Sequence, residues 1–282
     1  KDATAKAIYG SKAANGVIVI ETKKPESGRL RVTYTGNVSL EVPDLTSYDL
    51  TNAAEKLEVE RLAGLYYSDN AMSQITLEKN YSQKLREVIS GVNTDWLAQP
   101  VRTGVGTKHS LYIEGGDKAM QYGVNLSYNN IEGAMKGSDR STFSGGITLS
   151  YRVKNFIFRD KLTIDYNSSN DSPYGSFSQY YRMNPYSRLY DANGNYIRSY
   201  DYTDNKGASA QYSNPLYNTT LNTINNNTYT NITNDFYMEW QILESLKMTG
   251  RFGIVRKTTT ADIFKPANHT DFINTTDEFR RG

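Results

Sequence analysis

Few residues of this 282-residue chain have a type and spacing that could do chemistry. Asp191, Asn193 and Asn195 carry side-chain oxygens at the one-three-five spacing of a calcium loop. The glycine stands at position four instead of six, and no glutamate follows at position twelve, so Asn193-Gly194 reads more simply as a tight turn. Two acid pairs, Asp44 with Asp49 and Asp201 with Asp204, lie in polar connectors, where sequence spacing does not set the carboxylate separation that glycoside hydrolysis needs. The only histidines, His109 and His269, have no partner readable as a triad, and the absence of cysteine excludes thiol catalysis, disulfides and thiolate-bound zinc. Gly10-Ser11-Lys12 has the wrong order for a phosphate loop, which needs Gly-Lys-Ser/Thr before a helix. What stands out is aromatic. Residues 171–227 hold Tyr174, Phe177, Tyr180, Tyr181, Tyr186, Tyr190, Tyr196, Tyr200, Tyr202, Tyr212 and Tyr217. Flat aromatic faces suit sugar rings, apolar peptide side chains and protein interfaces, and they equally supply a long loop with a small core of its own.

The elements that must position these residues are mostly strands. From Met120 to Tyr128 apolar and polar residues alternate strictly: Met120, Tyr122, Val124, Leu126 and Tyr128 against Gln121, Gly123, Asn125, Ser127 and Asn129. The same period recurs from Leu30 to Val42, Phe143 to Val153, Leu162 to Tyr166, Ile232 to Ile242 and Leu246 to Ile254, with a weaker copy at Leu111 and Ile113. Seven strands result, and the fold class is all-β. With 23 Tyr, 21 Gly and only 7 Pro the composition agrees. A net charge of +2 gives no field for nucleic acid, and none is expected as a partner. Mean hydropathy is −0.64 and no apolar run could form a spanning helix.

Alternation alone fits a sandwich or a barrel. Two features favour a transmembrane antiparallel barrel. The strands are long for a soluble sheet, where about 5–6 residues is usual. The connections also alternate in length, with short turns at Gly115–Lys118, Lys154-Asn155 and Leu243–Ser245, and long ones at 43–104, 132–141, 171–227 and after 260. Outer-membrane barrels have this asymmetry, and Tyr34, Tyr122, Tyr128, Tyr151, Tyr166 and Trp240 on the apolar faces suit their aromatic girdles. Asp160 shares parity with Phe158 and Leu162 and would face lipid, unless the hydrocarbon band starts near Leu162 or a bulge shifts the register. Bacterial single-chain barrels have an even strand number, and a plugged transporter has roughly 22 strands. The chain, which begins in mid-pattern without an initiator Met, is therefore expected to be a section of a larger barrel.

Within the 43–104 connector, Thr51 could cap a helix through Ala54, Leu57, Arg61 and Leu65, and a second helix would place Leu77, Tyr81, Leu85 and Val88 on one face. Both are expected to pack a folded outer loop, with Trp96 seating it at the barrel rim.

The opening KDATAKAIYGSKAANGVIVIETKK reads as a short helix ending at Tyr9-Gly10, a turn at Asn15-Gly16 and an apolar strand from Val17. It resembles the end of the plug domain in SusC/RagA-type TonB-dependent outer-membrane transporters of the Bacteroidota. Asn52-Ala53-Ala54-Glu55, Leu62-Ala63-Gly64, Asn93-Thr94-Asp95-Trp96, Asn184-Pro185-Tyr186 and Asp191-Ala192-Asn193-Gly194-Asn195 continue the resemblance to residue 197. It implies a non-enzymatic importer without a cofactor, in the bacterial outer membrane. Residues 1–24 would end an α+β plug, with Tyr9, Gly10, Asn15 and Gly16 as its motif, and 25–282 would form the first part of the barrel. Implied partners are TonB, acting through a missing N-terminal part, a SusD-like lipoprotein, membrane lipid and a glycan or peptide substrate. Contact with substrate or lipoprotein would fall to Trp96, Tyr174, Phe177, Tyr180, Tyr181 and Tyr186. The competing readings are a secreted soluble β-sandwich that binds carbohydrate, and a barrel-shaped adhesin.

Overall fold

The computed structural model of the protein describes residues 25–203 and 208–275, so the motif residues Tyr9, Gly10, Asn15 and Gly16 lie outside the described residues. Seven long strands form one antiparallel sheet: β1 (Gly28–Glu41), β2 (Gly104–Gly116), β3 (Met120–Glu132), β4 (Asp139–Val153), β5 (Phe156–Asn170), β8 (Ile224–Leu243) and β9 (Leu246–Phe264). Each pairs with the one before it in this order. Two short strands, β6 (Ser199–Thr203) and β7 (Ser209–Ser213), pair only with each other and belong to the connector between β5 and β8. The first connector carries helices α1 (Ala53–Leu62) and α2 (Ala71–Ile89).

The weak alternation at Leu111 and Ile113 marks the full 13-residue β2. Its outward positions include Thr107 and His109, which dilute the pattern, yet twelve register pairs tie it to β1. The first helix starts one residue later than expected. Asn52, not Thr51, is its cap: the Asn52 side chain accepts from Glu55 N, and the Glu55 carboxylate accepts from Asn52 N. The helix stops at Leu62, short of Leu65, and turns Ala53, Leu57 and Glu60 inward, rather than Ala54 and Arg61. α2 agrees with its expected face, with Leu77 fully buried and Tyr81, Leu85 and Val88 packed against Ala53, Leu57 and Tyr186.

The distribution of burial is inverted relative to a soluble sheet. Leu30, Val32, Tyr34, Val38 and Leu40 on β1, Met120, Leu126 and Tyr128 on β3, and Phe143, Ile147, Leu149 and Tyr151 on β4 are all exposed. Among the described residues the buried core side chains Ala53, Leu57, Leu77, Trp96, Leu97, Tyr180, Met183, Tyr186 and Leu216 all lie in connectors. A sandwich would need a second sheet over the apolar face, and among the described residues no strand covers it.

The register measures how this face meets its surroundings. Below the pair Ile224 and Phe264 at the loop end of β8 and β9, the upper outward apolar residues are Leu40 opposite Val105, then the row Tyr128, Phe143 and Tyr166, then Ile232, and finally Ile254. Ile232 lies one outward position below the Tyr166 row, and Ile254 one below Ile232. For these residues the limit descends on average by about one residue per strand; with a rise of about 3.4 Å and a strand spacing of about 4.8 Å, a line through them, taken as the edge of the apolar slab, crosses the strands at roughly 40°. That is the tilt of strands in membrane barrels, about 35–45°. On the turn side of the slab Phe156 stacks on Trp240 and on Phe158, with ring centroids 5.4 Å and 5.8 Å apart. Tyr128, Phe143 and Tyr166 share a row on the loop side.

Asp160 sits inside this slab, opposite Leu149 and Phe236, in ladders without a register shift, so no bulge turns it away. Nor does the apolar run begin beyond it, because Phe156 and Phe158 precede it on the same face. Its carboxylate instead accepts a 2.8 Å hydrogen bond from the Asn234 amide, which the alternation had concealed on the same face.

Candidate functional site

The opposite face of the sheet is polar and internally bonded. Arg159 lies 4.9 Å from the Tyr237 ring centre, and Tyr237 donates to Glu239 at 2.7 Å. Arg251 pairs with Asp235 at 3.3 Å, while Ser144 and Asn231 donate to Asp165 at 2.7 Å and 3.3 Å. The start of the described chain lies on this side. A Cβ at Gly123 would come within 3.0 Å of Pro25 and 2.7 Å of the Tyr112 hydroxyl, so glycine there makes room for both. Glu26 and Glu114 both pair with Arg31, at 2.9 Å and 3.0 Å, which fixes the entry into β1. Such a wall, with its charged and amide groups on the face turned from the apolar slab, can line a water-filled passage.

The long connectors join at the other end of the sheet in one folded unit. Thr94 N donates to Pro185 O at 2.8 Å, Thr94 Oγ1 to Ser187 O at 2.8 Å, and Trp96 Nε1 to Asn184 O at 2.9 Å. These bonds seat the 93–97 segment on the aromatic connector. Trp96, Leu97, Tyr180, Met183 and Leu216 form its core, with Tyr174, Phe177, Tyr196, Tyr200 and Tyr212 packed around. The second cluster brings Ala53 and Leu57 of α1 against Tyr186.

Glu60, on the buried face of α1, anchors the second cluster and is only 6% exposed. Its carboxylate accepts from Tyr66 at 2.6 Å and from Tyr186 at 2.9 Å and 3.0 Å, and lies 3.5 Å from the Lys84 ammonium. Burial first, and the adjacent carboxylate after it, push the Tyr66 and Tyr186 hydroxyls well above the usual tyrosine range. Burial lowers Lys84, against the opposing pull of Glu60. The expected face through Ala54, Leu57, Arg61 and Leu65 missed this residue; only with the helix set by its Asn52 cap do Ala53, Leu57 and Glu60 share the buried side.

The structure separates the six expected contact residues. Trp96, Tyr180 and Tyr186 are buried, at 3%, 0% and 3% exposure, so their side chains have no surface to offer a ligand: they build the unit instead. Tyr174 and Phe177 are partly buried against them, and Tyr181 is exposed. At the turn expected from Asn193-Gly194, the Asp191 side chain accepts from Asn193 N and Asn195 N, both at 2.9 Å, and Gly194 has φ +82°. That carboxylate therefore closes the turn on itself. Among the described residues no group of three His, Asp or Glu side chains could hold a metal ion.

A cleft of about 610 Å³ opens where the two connectors meet. Its walls include Leu45, Tyr48 and Leu50, then Asp95 and Leu97, then Tyr181, Arg182 and Met183. Tyr48 packs edge-on against Phe177 with ring centroids 5.6 Å apart, and the Arg182 guanidinium lies 5.6 Å from the Tyr181 ring.

No family model matches the chain. Over 169 residues, 60% of the chain, it is 34% identical to the TonB-dependent receptor SusC of Bacteroides thetaiotaomicron, of which it covers 15%. Over 94% of the chain it is 27% identical to TonB-dependent receptor P3 of Formosa agariphila, covering 25% of that protein. The fold is similar to that of a chain in the RagAB peptide transporter, with a TM-score of 0.70 over 92% of this chain and 32% of the other, at 19% identity. The chain spans a quarter or less of the curated relatives it matches.

Proposed function

We propose, from the premise that this chain is homologous to a section of the SusC/RagA-type TonB-dependent receptors, that it forms an arc of wall and the outer loops of a bacterial outer-membrane importer. The observation that carries this reading is the inverted sheet. Its apolar face is turned out at the tilt of a membrane barrel, its polar face is turned in, and Pro25 enters from the polar side. Residues 1–24 are the end of the plug in this reading, which the Tyr9-Gly10 and Asn15-Gly16 motif and the position of Pro25 support. TonB acts on the intact plug and opens a path along the polar wall into the periplasm. The relatives are receptors, not enzymes, and the role assigned here is passage.

The finer reading is uptake of oligosaccharides or peptides together with a SusD-like lipoprotein resting on the outer loops. The interlocked connectors support it, since they give a partner a firm platform. The test uses the native gene in its own cell. A deletion strain should lose uptake of one member of a glycan and peptide panel, and collapse of the inner-membrane proton gradient should stop the same uptake. The protein should need detergent for extraction and show heat-modifiable gel mobility. Extraction as a soluble monomer, or uptake indifferent to the gradient, overturns the proposal.

A further inference from the structure

We infer that Arg198 and Asn214 hold a small inorganic anion of chloride size inside the outer unit, as a structural site at the foot of the β6–β7 ribbon. This site stands apart from any substrate of the wall.

The two residues are neighbours across the ribbon. β6 and β7 pair Ser199 with Ser213 and Tyr200 with Tyr212. Asn214 N donates to Arg198 O at 3.0 Å, which carries the ladder one step further. Residues directly opposite each other on antiparallel strands share a face, and every second residue returns to it. Arg198 and Asn214 therefore stand on the face of the Tyr200–Tyr212 pair, whose rings lie 5.1 Å apart and pack against the Trp96 cluster.

Three nitrogens of this pair are sealed from solvent. Among the described residues Arg198 Nε, Arg198 Nη2 and Asn214 Nδ2 are buried and make no hydrogen bond. Asn214 is wholly buried, at 0% exposure, and its Oδ1 is already engaged by Leu216 N at 3.0 Å. The Tyr217 ring centre, 5.9 Å from the Arg198 guanidinium, attracts the charge but accepts none of its N–H bonds. Other cations of the unit are matched: Lys84 has Glu60 at 3.5 Å, and Arg188 has Glu87. A buried donor left without an acceptor is destabilising, and a guanidinium cannot shed its proton to escape that cost.

The chemistry of the donors selects the occupant. All three nitrogens present N–H groups and none presents a lone pair, so the species that they share is an acceptor. A water would bring two hydrogens of its own and leave the charge unbalanced. An anion accepts from all three and balances the guanidinium. Burial fixes its size. Atoms already closed over by this chain's own residues are out of reach of a large ligand, and further chain packed around the unit only deepens that burial. A monatomic ion is taken in as the ribbon folds.

An ion that binds only the folded unit makes its opening rarer as the ion concentration rises. The experiment follows hydrogen exchange of β7 and the Pro215–Thr220 turn in the full-length protein in detergent. Sodium chloride, sodium bromide and sodium gluconate are compared at one ionic strength, so that general screening is equal. Chloride and bromide should slow exchange there about tenfold, the effect of an ion at roughly ten times its dissociation constant, and leave β3 and β4 unchanged. Arg198→Met should exchange at one rate in all three salts. Asn214→Asp keeps the oxygen that caps Leu216 and brings a fixed carboxylate to the guanidinium, so exchange should be slow in gluconate as well; this variant decides the matter where Arg198→Met does not fold. Crystals grown in bromide should show its anomalous signal within hydrogen-bond reach of Arg198 Nε and Asn214 Nδ2. Equal exchange in halide and gluconate, a halide effect that survives Arg198→Met, or a water or a carboxylate of the chain at the bromide position overturns the inference.

Discussion

The sheet and the outer unit are built from the same residue types and solve opposite problems. On the sheet, Tyr, Leu and Ile at alternate positions face outward and stay exposed, as with Tyr128 and Ile147. In the connectors, Tyr180, Tyr186 and Leu77 face inward and are buried to 3% or less. The difference follows from what each region has on its far side. A strand in a barrel wall rests its apolar face on lipid, and its backbone bonds are complete within the ladder. A loop above the membrane has only water outside, so its apolar groups must find each other, and its backbone must be tied by side chains such as Asn52, Thr94 and Trp96.

The largest break in that comparison should come from the loop core. Trp96→Ala should cost about 3–5 kcal/mol through the cavity it leaves. Proteolysis in detergent should then cut within 171–223 while the barrel keeps its heat-modifiable mobility; joint loss of both would mean that the regions are one cooperative unit. Next, a charge on the wall should matter by side. Ile147→Arg, facing out, should lower stability in lipid by about 2–4 kcal/mol, whereas Thr148→Arg, its inward neighbour, should be tolerated. Urea titrations in bilayers that gave equal losses would reverse the assignment of faces.

The Glu60 junction offers a third, smaller effect. Tyr186→Phe removes one donor to a buried carboxylate and should loosen the outer unit by about 1.5–3 kcal/mol, read as faster hydrogen exchange at residues 53–62. The pH dependence has a definite sign. Tyr66 and Tyr186 are raised above the ordinary value of 10.0, so the stability that they confer is complete below that pH and is lost as pH rises beyond it. Tyrosinate absorbance should therefore lag behind that of exposed tyrosines until the unit opens, and Tyr186→Phe should bring the opening to lower pH. The smallest effect is expected inside the slab. Replacing both Asp160 and Asn234 by Leu should change stability by within about 1 kcal/mol, since donor and acceptor leave together; Asn234→Leu alone should cost more.

Legibility in the sequence divided along the same line. The wall could be read because lipid on one side and water on the other impose a period of two, and six of its seven strands carried it plainly. β2 was faint because Thr107 and His109 stand in its outward row. The second helix could be read from Leu77, Tyr81, Leu85 and Val88 for the same reason, a period with one buried side. The aromatic connector has no period, so nothing in the sequence distinguished Tyr180, which is buried, from its exposed neighbour Tyr181. Glu60 was hidden for a different reason: carboxylates are ordinary on helices, and its partner Tyr186 lies 126 residues away.

The position of Pro25 also bears on how such a wall is made. The chain enters β1 from the polar side, and among the described residues one edge of β1 has no partner strand. In the importer proposed above, where residues 1–24 are the end of the plug, that edge would be the seam of the cylinder and the segment leading into it would end up indoors. Sealing and enclosure are then one event. A ring closed with the segment outside could not correct itself without unzipping the ladder that β1 makes with β2, from Glu41 down to Gly28. The Glu26, Arg31 and Glu114 cluster stands at this threshold and fixes the side from which the chain enters.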